Sequence, residues 1–269
     1  MLRRPLALQK SLVLLATCLL AAASQAAERI VVLTADVAEI VVALGHGSEV
    51  VGRERVAKQP ELAQAVEIGS SRSLSAEPIL RLKPTLVIGS QLAMPEGIWS
   101  QLNGLGLKAV KVSAKTDGSD YAEAIRSVGK LIGTDAQAGK LAYDWQNAMR
   151  PAQPWGKRVL VTYEGKTVAG RDTPADWLIR AAGGINAAAG IDGYKPLDAE
   201  ALSKLAPDII LIAEHNRAVY GGLAEFTRRA DIAATPAGRN GRVYEVPVHE
   251  YFSVNLGSPA AVRKLRTLG

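Results

Sequence analysis

Two glutamates occupy equivalent places in a long internal repeat. Glu77 lies in residues 75–88 and Glu200 in residues 198–211, and a constant offset of 123 residues superposes the two segments. Each segment predicts a short helix that follows a capping residue, is stopped by proline and turns into an apolar strand. Such a carboxylate can pair with an arginine, and it also favours the dipole of its own helix. A repeat of this kind indicates two lobes of similar build.

The residue patterns of common hydrolases are absent. His46, His215 and His249 are the only histidines, and none has the spacing to glutamate of a zinc hydrolase. The sequence has no Gly-x-Ser-x-Gly elbow and no phosphate-binding loop. The serines at 70–75 have no obvious base beside them. We therefore predict a protein that is not an enzyme, and a detectable turnover would favour the enzyme alternative.

Short apolar strands alternate with helical segments along the chain. The first strands are predicted at residues 29–34, 50–52, 85–89 and 109–112, and a similar plan starts again at residue 158. Because these strands are rich in valine and isoleucine without polar alternation, they indicate parallel sheets covered on both faces. The predicted fold class is α/β, with two similar lobes that each contain a mostly parallel sheet flanked by helices.

A long helical segment at residues 120–149 joins the two halves. Gly133, followed by Thr134 and Gln137, predicts a break and then a capping box. Loops after strand ends would gather at one rim of each sheet, so we expect the ligand cleft between the lobes. The predicted parts are a signal peptide at 1–26, an N-terminal lobe at 27–133, a linker helix at 134–156 and a C-terminal lobe at 157–269.

The N-terminus indicates secretion. Arg3, Arg4 and Lys10 precede an apolar run, and small residues favour cleavage near Ala26. Cys18 lies in a poor lipoprotein motif, so we expect cleavage and not lipid anchoring. The mature protein would then contain no cysteine, which excludes disulfides and thiol catalysis.

The charge does not favour a nucleic-acid partner. The net charge of +6 falls to +3 when the three basic residues of the signal are removed. The remaining basic residues are spread out and are not interleaved with aromatic residues. No later apolar segment approaches membrane-spanning length, so we expect no membrane insertion after cleavage.

Several phrases resemble the substrate-binding proteins of ABC importers. They are Arg-Ser-Leu-Ser-Ala-Glu at 72–77, Leu-Lys-Pro-Thr-Leu-Val-Ile at 82–88, Leu-Ile-Arg-Ala-Ala-Gly-Gly-Ile-Asn-Ala at 178–187, Pro-Asp-Ile-Ile-Leu at 207–211 and Thr-Pro-Ala-Gly at 235–238. They are similar to the class with a rigid linker helix that serves haem, cobalamin and ferric siderophores. Within it, they most resemble the periplasmic hemin-binding proteins, over nearly the whole mature chain.

The resemblance implies a monomeric periplasmic protein that captures hemin and delivers it to an inner-membrane ABC permease. Haem would be the transported ligand and not a catalytic cofactor. In this class a glutamate on each lobe pairs with arginines of the permease dimer, and these positions match Glu77 and Glu200. Two separated carboxylates can fix the register and orientation of such a complex.

The ligand loop departs from the family pattern. Hemin binders of this group have an iron-ligating tyrosine after the glycine that opens the loop, but Gly69 is followed here by Ser70. Arg72 matches the family and can form a bidentate bond with a propionate. Cobalamin or a ferric siderophore is the alternative cargo, because neither needs an iron-ligating side chain.

Other residues of the predicted rim could complete the site. Tyrosine and histidine can ligate haem iron, and Arg171 could bind an anion or pair with Asp172. Besides Ser70 and Arg72, the predicted ligand-binding residues are Tyr163, Arg171, Tyr194, His249 and Tyr251. Of these, the candidate iron ligands are Tyr163, His249 and Tyr251, and His215 and Tyr220 lie in rim loops as well.

Overall fold

A computed structural model of the protein describes residues 28–268. The predicted signal peptide, including Cys18, lies outside the described residues. Within residues 28–268, none of the helices has the length and apolar character needed to cross a membrane.

The N-terminal half contains a five-stranded sheet in which all neighbouring strands are parallel. Its strands are β1 (Ile30–Val32), β2 (Val50–Arg53), β3 (Val66–Glu67), β4 (Leu86–Gly89) and β5 (Ala109–Lys111). Its helices are α1 (Ala35–Ala43), α2 (Ala76–Arg81) and α3 (Ile98–Gly104). The strand order is β3-β2-β1-β4-β5, and the central strands β1 and β4 are fully buried. The sequence did not predict β3, because its two exposed residues give no apolar run.

Two helices, α4 (Tyr121–Ile132) and α5 (Asp135–Ala148), connect the sheets. Between them Gly133 has a φ of 75°, which glycine adopts without strain, so the predicted break is confirmed. The predicted capping box is wrong, because the side chain of Thr134 makes no capping bond. Trp145 Nε1 donates to the carbonyl oxygen of Asn255 at 2.9 Å, which fastens α5 to the C-terminal half.

The C-terminal half contains a six-stranded mixed sheet. Its strands are β6 (Arg158–Thr162), β7 (Thr167–Ala169), β8 (Ile185–Asn186), β9 (Tyr194–Pro196), β10 (Ile209–Ala213) and β11 (Val243–Val246). Its helices are α6 (Pro174–Ala181), α7 (Ala199–Lys204), α8 (Arg217–Tyr220), α9 (Leu223–Arg228), α10 (Ala230–Ala233), α11 (Pro236–Arg239), α12 (Val248–Tyr251) and α13 (Ser258–Arg266). The main strand order is β11-β10-β6-β7-β9, and β8 also pairs with β6.

Part of this second sheet is antiparallel, unlike the predicted arrangement. β7 runs antiparallel to both β6 and β9. The short strands β7 and β9 occupy segments that were predicted as loops. A tight turn causes the reversal: Thr162 Oγ1 accepts a bond from the N–H of Gly165 at 3.0 Å and donates to the carbonyl oxygen of Thr167 at 2.7 Å. The mostly parallel α/β class is retained, with an antiparallel extension on one lobe only.

The two copies of the sequence repeat form the same structural unit. α2 leads into β4, which pairs with β1, and α7 leads into β10, which pairs with β6. The residues before the two prolines, Lys83 and Ala206, share a left-handed backbone with φ values of 46° and 43°. Arg29 and Arg158 donate to the carbonyl oxygen that follows α2 and α7, at 2.6 and 2.9 Å. The two units therefore share their fold and also the arginine that satisfies the carbonyl oxygen at the end of the helix.

Candidate ligand-binding cleft and docking surface

A buried glutamate organises the loop at residues 69–74, at the rim of the N-terminal lobe. Glu54 follows β2 directly and is only 2% exposed. Its carboxylate accepts bonds from the N–H groups of Val56 at 2.7 Å and Ser71 at 3.2 Å. Ser70 Oγ accepts a bond from the N–H of Arg72 at 3.3 Å. Glu54 is not among the residues predicted from the sequence, where its only signal is a carboxylate directly after the end of a parallel strand.

Arg72, in this loop, lies near a tyrosine of the opposite lobe. Its side chain is exposed, and its guanidinium has no hydrogen-bond or ion-pair partner among residues 28–268. Burial raises the pKa of the Tyr194 phenol above its usual value, the neighbouring Tyr163 adds to this effect, and the charge of Arg72 acts in the opposite direction. Arg72 of one lobe therefore lies near enough to Tyr194 of the other lobe for its charge to act on the phenol.

Four rings form an aromatic cluster at the rim of the C-terminal lobe: Tyr163, Tyr194, His215 and Phe252. The Tyr163 ring is central, with its centroid 4.5 Å from Phe252, 5.4 Å from Tyr194 and 6.0 Å from His215, whose ring is edge-on. The sequence predicted Tyr163 and Tyr194 as site residues. It missed Phe252, because residues on separate loops carry no local signal of their proximity.

Exposed apolar side chains follow the carboxyl ends of strands in both lobes. This apolar rim consists of Val56, Leu92, Met94, Val219 and Val248. Exposed apolar residues also lie elsewhere within residues 28–268, at Val66, Leu105, Tyr143 and Ile185, but the five of the apolar rim follow the strand ends at which open α/β sheets bind ligands.

The floor of the cleft is closed by residues of both lobes. A cavity of about 20 Å³ is lined by Asp36 and Tyr121 from one side and by Pro174 and Phe252 from the other. This volume suits roughly one water molecule, so a large ligand would lie against the rims above it. The nearly buried Asp36 faces this cavity, and burial raises the pKa of its carboxyl.

A second carboxylate joins the two lobes beneath the cleft. Glu39 Oε1 accepts bonds from the Tyr121 hydroxyl at 2.6 Å and from the N–H of Leu256 at 2.7 Å. Burial raises the pKa of Glu39 to about 7, and the Tyr121 and Leu256 bonds act in the opposite direction. Sequence reasoning missed this link, because Glu39 and Leu256 are 217 residues apart.

Two predicted site residues are not members of the aromatic cluster, although the carbonyl oxygen of Arg171 accepts a bond at 2.9 Å from the N–H of Gly193, next to Tyr194. Arg171 is exposed and pairs with Asp192, so the alternative partner Asp172 was wrong. His249 is exposed on α12 and lines a separate groove together with Lys264. Neither residue belongs to the cluster around Tyr163.

Tyr251 is not at the rim, so that part of the prediction is wrong. Its side chain is fully buried, and its hydroxyl donates to the carbonyl oxygen of Ala261 at 3.0 Å. Burial also raises the pKa of its phenol above the usual value. Tyr251 therefore stabilises the packing of α12 on α13 and does not face the cleft.

Glu77 and Glu200 have matching surroundings on the two lobes. Each lies in the first turn of its helix, α2 or α7, and each side chain is 79% exposed. Glu77 pairs with Arg81 at 2.8 Å and Glu200 with Lys204 at 2.6 Å, one helical turn later. Exposed pairs of this kind contribute little to stability, so both carboxylates are accessible to a partner.

This chain belongs to the periplasmic binding protein family, whose model matches residues 30–249. The family consists of substrate-binding transport proteins and not of enzymes, as the sequence predicted. An uncharacterized ABC transporter substrate-binding lipoprotein of Bacillus subtilis is 25% identical over 81% of this chain and 72% of its own length. A vitamin B12-binding protein of Yersinia pseudotuberculosis is 33% identical, but over only 37% of this chain and 36% of its own.

Solved structures of similar proteins share the whole architecture. The periplasmic heme-binding protein RhuT from Roseiflexus sp. RS-1 in its apo form has 33% identity and a TM-score of 0.80, over 90% of this chain and 97% of its own. The heme-binding protein BhuT, in complex with two hemes, has 32% identity and a TM-score of 0.80 over the same shares. HutB of Vibrio cholerae has 28% identity and a TM-score of 0.77, over 90% of this chain and 99% of its own. These likenesses confirm the predicted two-lobed fold.

Proposed function

We propose that this protein captures hemin in the periplasm and delivers it to an ABC permease of the inner membrane. The observation that carries the proposal is the unpaired Arg72, which faces Tyr194 across a cleft with an aromatic cluster and an apolar rim. Hemin is a flat apolar ligand with carboxylates at its edge. A cleft with apolar surfaces and one free guanidinium complements both features.

Each part of the cleft has a task in this proposal. Arg72 binds a propionate, and Ser70 holds the Arg72 backbone in place. Tyr163, Tyr194 and Phe252 pack against the macrocycle. His249 has no part in the site, since it faces another groove, whereas Arg171 stays a candidate for a carboxylate of the ligand, because its pair with Asp192 is exposed and weak.

The similar solved structures support this cargo, because RhuT, BhuT and HutB are all described as heme-binding proteins. Haem is then a transported substrate. The signal peptide would be cleaved near Ala26, and the mature protein would act as a monomer with residues 134–156 as a stiff connection between lobes 27–133 and 157–269.

Glu77 and Glu200 form the proposed docking surface for the permease. Their accessibility and their matched positions on the two lobes suit a partner with two equivalent arginines. Each glutamate would exchange its weak pair with Arg81 or Lys204 for a pair with an arginine of the permease, which fixes the orientation of the two proteins.

A titration of the mature protein with hemin, followed by the Soret absorption, tests the cargo. The wild type should give a saturable spectral change, and Arg72→Ala should weaken binding by about 10- to 100-fold, because a charge-assisted bond is lost. Arg263→Ala, on the distant helix α13, is the matched control and should leave the affinity unchanged. No spectral change with the wild type would overturn the proposal.

Cobalamin is the second candidate cargo. The partial match to a vitamin B12-binding protein and the serine at position 70 favour it. Calorimetric titrations with cyanocobalamin and hemin in parallel would decide between the two. Tighter binding of cyanocobalamin would replace hemin in the proposal.

A further inference from the structure

We propose that the imidazole of His215 ligates the iron of the bound haem. This inference rests on the proposed function, because it concerns the hemin held in the same cleft. Serine is a poor ligand for haem iron, so Ser70 in the Arg72 loop does not suit this role, and the histidines and tyrosines of the cleft are the residues that could fill it.

His215 is the histidine that reaches the aromatic cluster. It follows β10 directly, in the short turn Glu214–Asn216, and its ring meets the edge of the Tyr163 ring. The adjacent Asn216 donates from Nδ2 to the carbonyl oxygen of Tyr163 at 3.2 Å, which fastens this turn to the end of β6. The imidazole therefore has a fixed place at the rim.

The imidazole is also available. His215 is exposed, and within residues 28–268 no side chain or backbone group bonds to its ring nitrogens. One helical turn later, Val219 is 71% exposed on the same rim. A free metal-ligating group beside an uncovered apolar side chain is suited to a ligand that presents iron within an apolar macrocycle.

The other candidate ligands are placed less well. Tyr251 is buried and bonded to Ala261, and His249 lies in the groove with Lys264. Burial raises the pKa of Tyr194, which opposes the phenolate that iron requires. Tyr163 is half-buried and enclosed by three other rings, so it is better suited to packing than to ligation.

The relative position of Arg72 and His215 fits the two ends of this interaction. Arg72 acts on Tyr194, and two ring-to-ring steps of 5.4 and 6.0 Å lead from Tyr194 through Tyr163 to His215. Haem carries its propionates at the edge and its iron at the centre. A haem that reached from Arg72 to His215 would present a propionate to the guanidinium and its iron to the imidazole.

The test compares four proteins with two probes. The proteins are wild type, His215→Ala, Tyr163→Phe and the matched control His249→Ala, and the probes are hemin and metal-free protoporphyrin IX. Absorption and electron paramagnetic resonance spectra report the iron ligand, and titrations report affinity. Metal-free protoporphyrin keeps the macrocycle and propionates, so its binding by His215→Ala also shows that the variant is folded.

We expect His215→Ala to lose the imidazole signature and to bind hemin at least about tenfold more weakly, with protoporphyrin affinity unchanged. Added free imidazole should restore the spectrum, and His249→Ala should match the wild type. If hemin binds and His215→Ala keeps the wild-type spectrum and affinity, or if only Tyr163→Phe changes the spectrum, the ligand assignment is overturned while hemin capture stands. If the wild type binds no hemin, both proposals are overturned.

Discussion

The two lobes are alike where the chain is predicted to meet the permease and differ where it is predicted to meet the cargo. Both have the helix–proline–strand unit, with the same left-handed residue before proline and an arginine on the carbonyl that ends the helix. Glu77 and Glu200 are equally exposed on these units. A duplicated framework thus presents two equivalent carboxylates.

The rims, in contrast, have different chemistry. The N-terminal lobe has a parallel sheet and a polar loop, held by Glu54, that presents Arg72. The C-terminal lobe adds the antiparallel strands β7 and β9, which bring Tyr194 onto Tyr163. Both lobes have exposed apolar side chains, but the N-terminal lobe adds a charge and the C-terminal lobe adds an aromatic cluster, a combination that suits the proposed amphipathic ligand.

The largest expected effect is on transport. Reversing both charges, with Glu77→Arg and Glu200→Arg, should abolish hemin uptake, because each variant side chain would repel one of the two arginines proposed on the permease. Each single variant should fall between the wild type and the double variant. Uptake by cells that carry only the variant is the measurement.

Glu123→Arg, on the exposed face of α4, is the control for this experiment and should leave uptake normal. The hemin affinity of the purified double variant should equal that of the wild type. Normal uptake by the double variant would show that the equivalence of the two glutamates has no role in docking.

The second prediction compares the two rims. Tyr163→Ala removes the central ring of the aromatic cluster and should weaken hemin binding by about 100-fold, which is at least as much as Arg72→Ala. Tyr143→Ala, an exposed tyrosine on α5, is the matched control. If Arg72→Ala proves far more damaging than Tyr163→Ala in the titration, the charged rim and not the aromatic one dominates affinity.

The third prediction concerns the link between the lobes. The pKa of Glu39 in the folded protein, about 7, lies above its ordinary value of 4.5, so folding favours the protonated form. Its stabilising contribution is present below pH 4.5 and is lost as the pH rises through 7. Glu39→Gln stays neutral, so its free energy of unfolding should rise relative to that of the wild type by about 3 kcal/mol across this range.

Urea denaturation at several pH values measures this change. Glu77→Gln, at a fully accessible site, should follow the wild-type curve. Parallel curves for Glu39→Gln and the wild type would mean that the carboxylate between the lobes does not titrate as the structure indicates.

The smallest effect tests whether the shared unit is equally stabilised in both lobes. Arg29→Met and Arg158→Met keep the apolar stem of the side chain and remove the bonds to the carbonyl oxygens. Each should lower the free energy of unfolding by about 1 to 2 kcal/mol, as expected for a charge-assisted bond. Thermal or urea unfolding measures both losses. If the loss of unfolding free energy differs severalfold between Arg29→Met and Arg158→Met, the two units resemble each other only in geometry.

The repeat and the apolar strands predicted the fold well, because both are local features of the sequence. The break at Gly133 followed from glycine alone, whereas the antiparallel β7 and β9 did not, since a hydrogen-bonded turn at Thr162 determines them. Arg72, Tyr163 and Tyr194 could be predicted from the sequence as ligand-binding residues. Their proximity could not, because it depends on how two separately formed lobes face each other.

The burial of Tyr251 and the roles of Glu54 and Glu39 were also not predicted, because they depend on contacts between residues that are distant in the sequence. Tyr251 is next to a rim residue in sequence, but the short helix α12 turns its side chain into the core toward Ala261. Glu54 and Glu39 act through backbone N–H groups of distant residues, which no local pattern reveals.

A crystal structure of the mature protein grown with hemin tests the central claim most directly. The account predicts one macrocycle between the lobes, packed against Tyr163, with a propionate on Arg72 and the floor link of Glu39 intact. Hemin bound away from this cleft, or within it with Arg72 turned to solvent, would contradict the account.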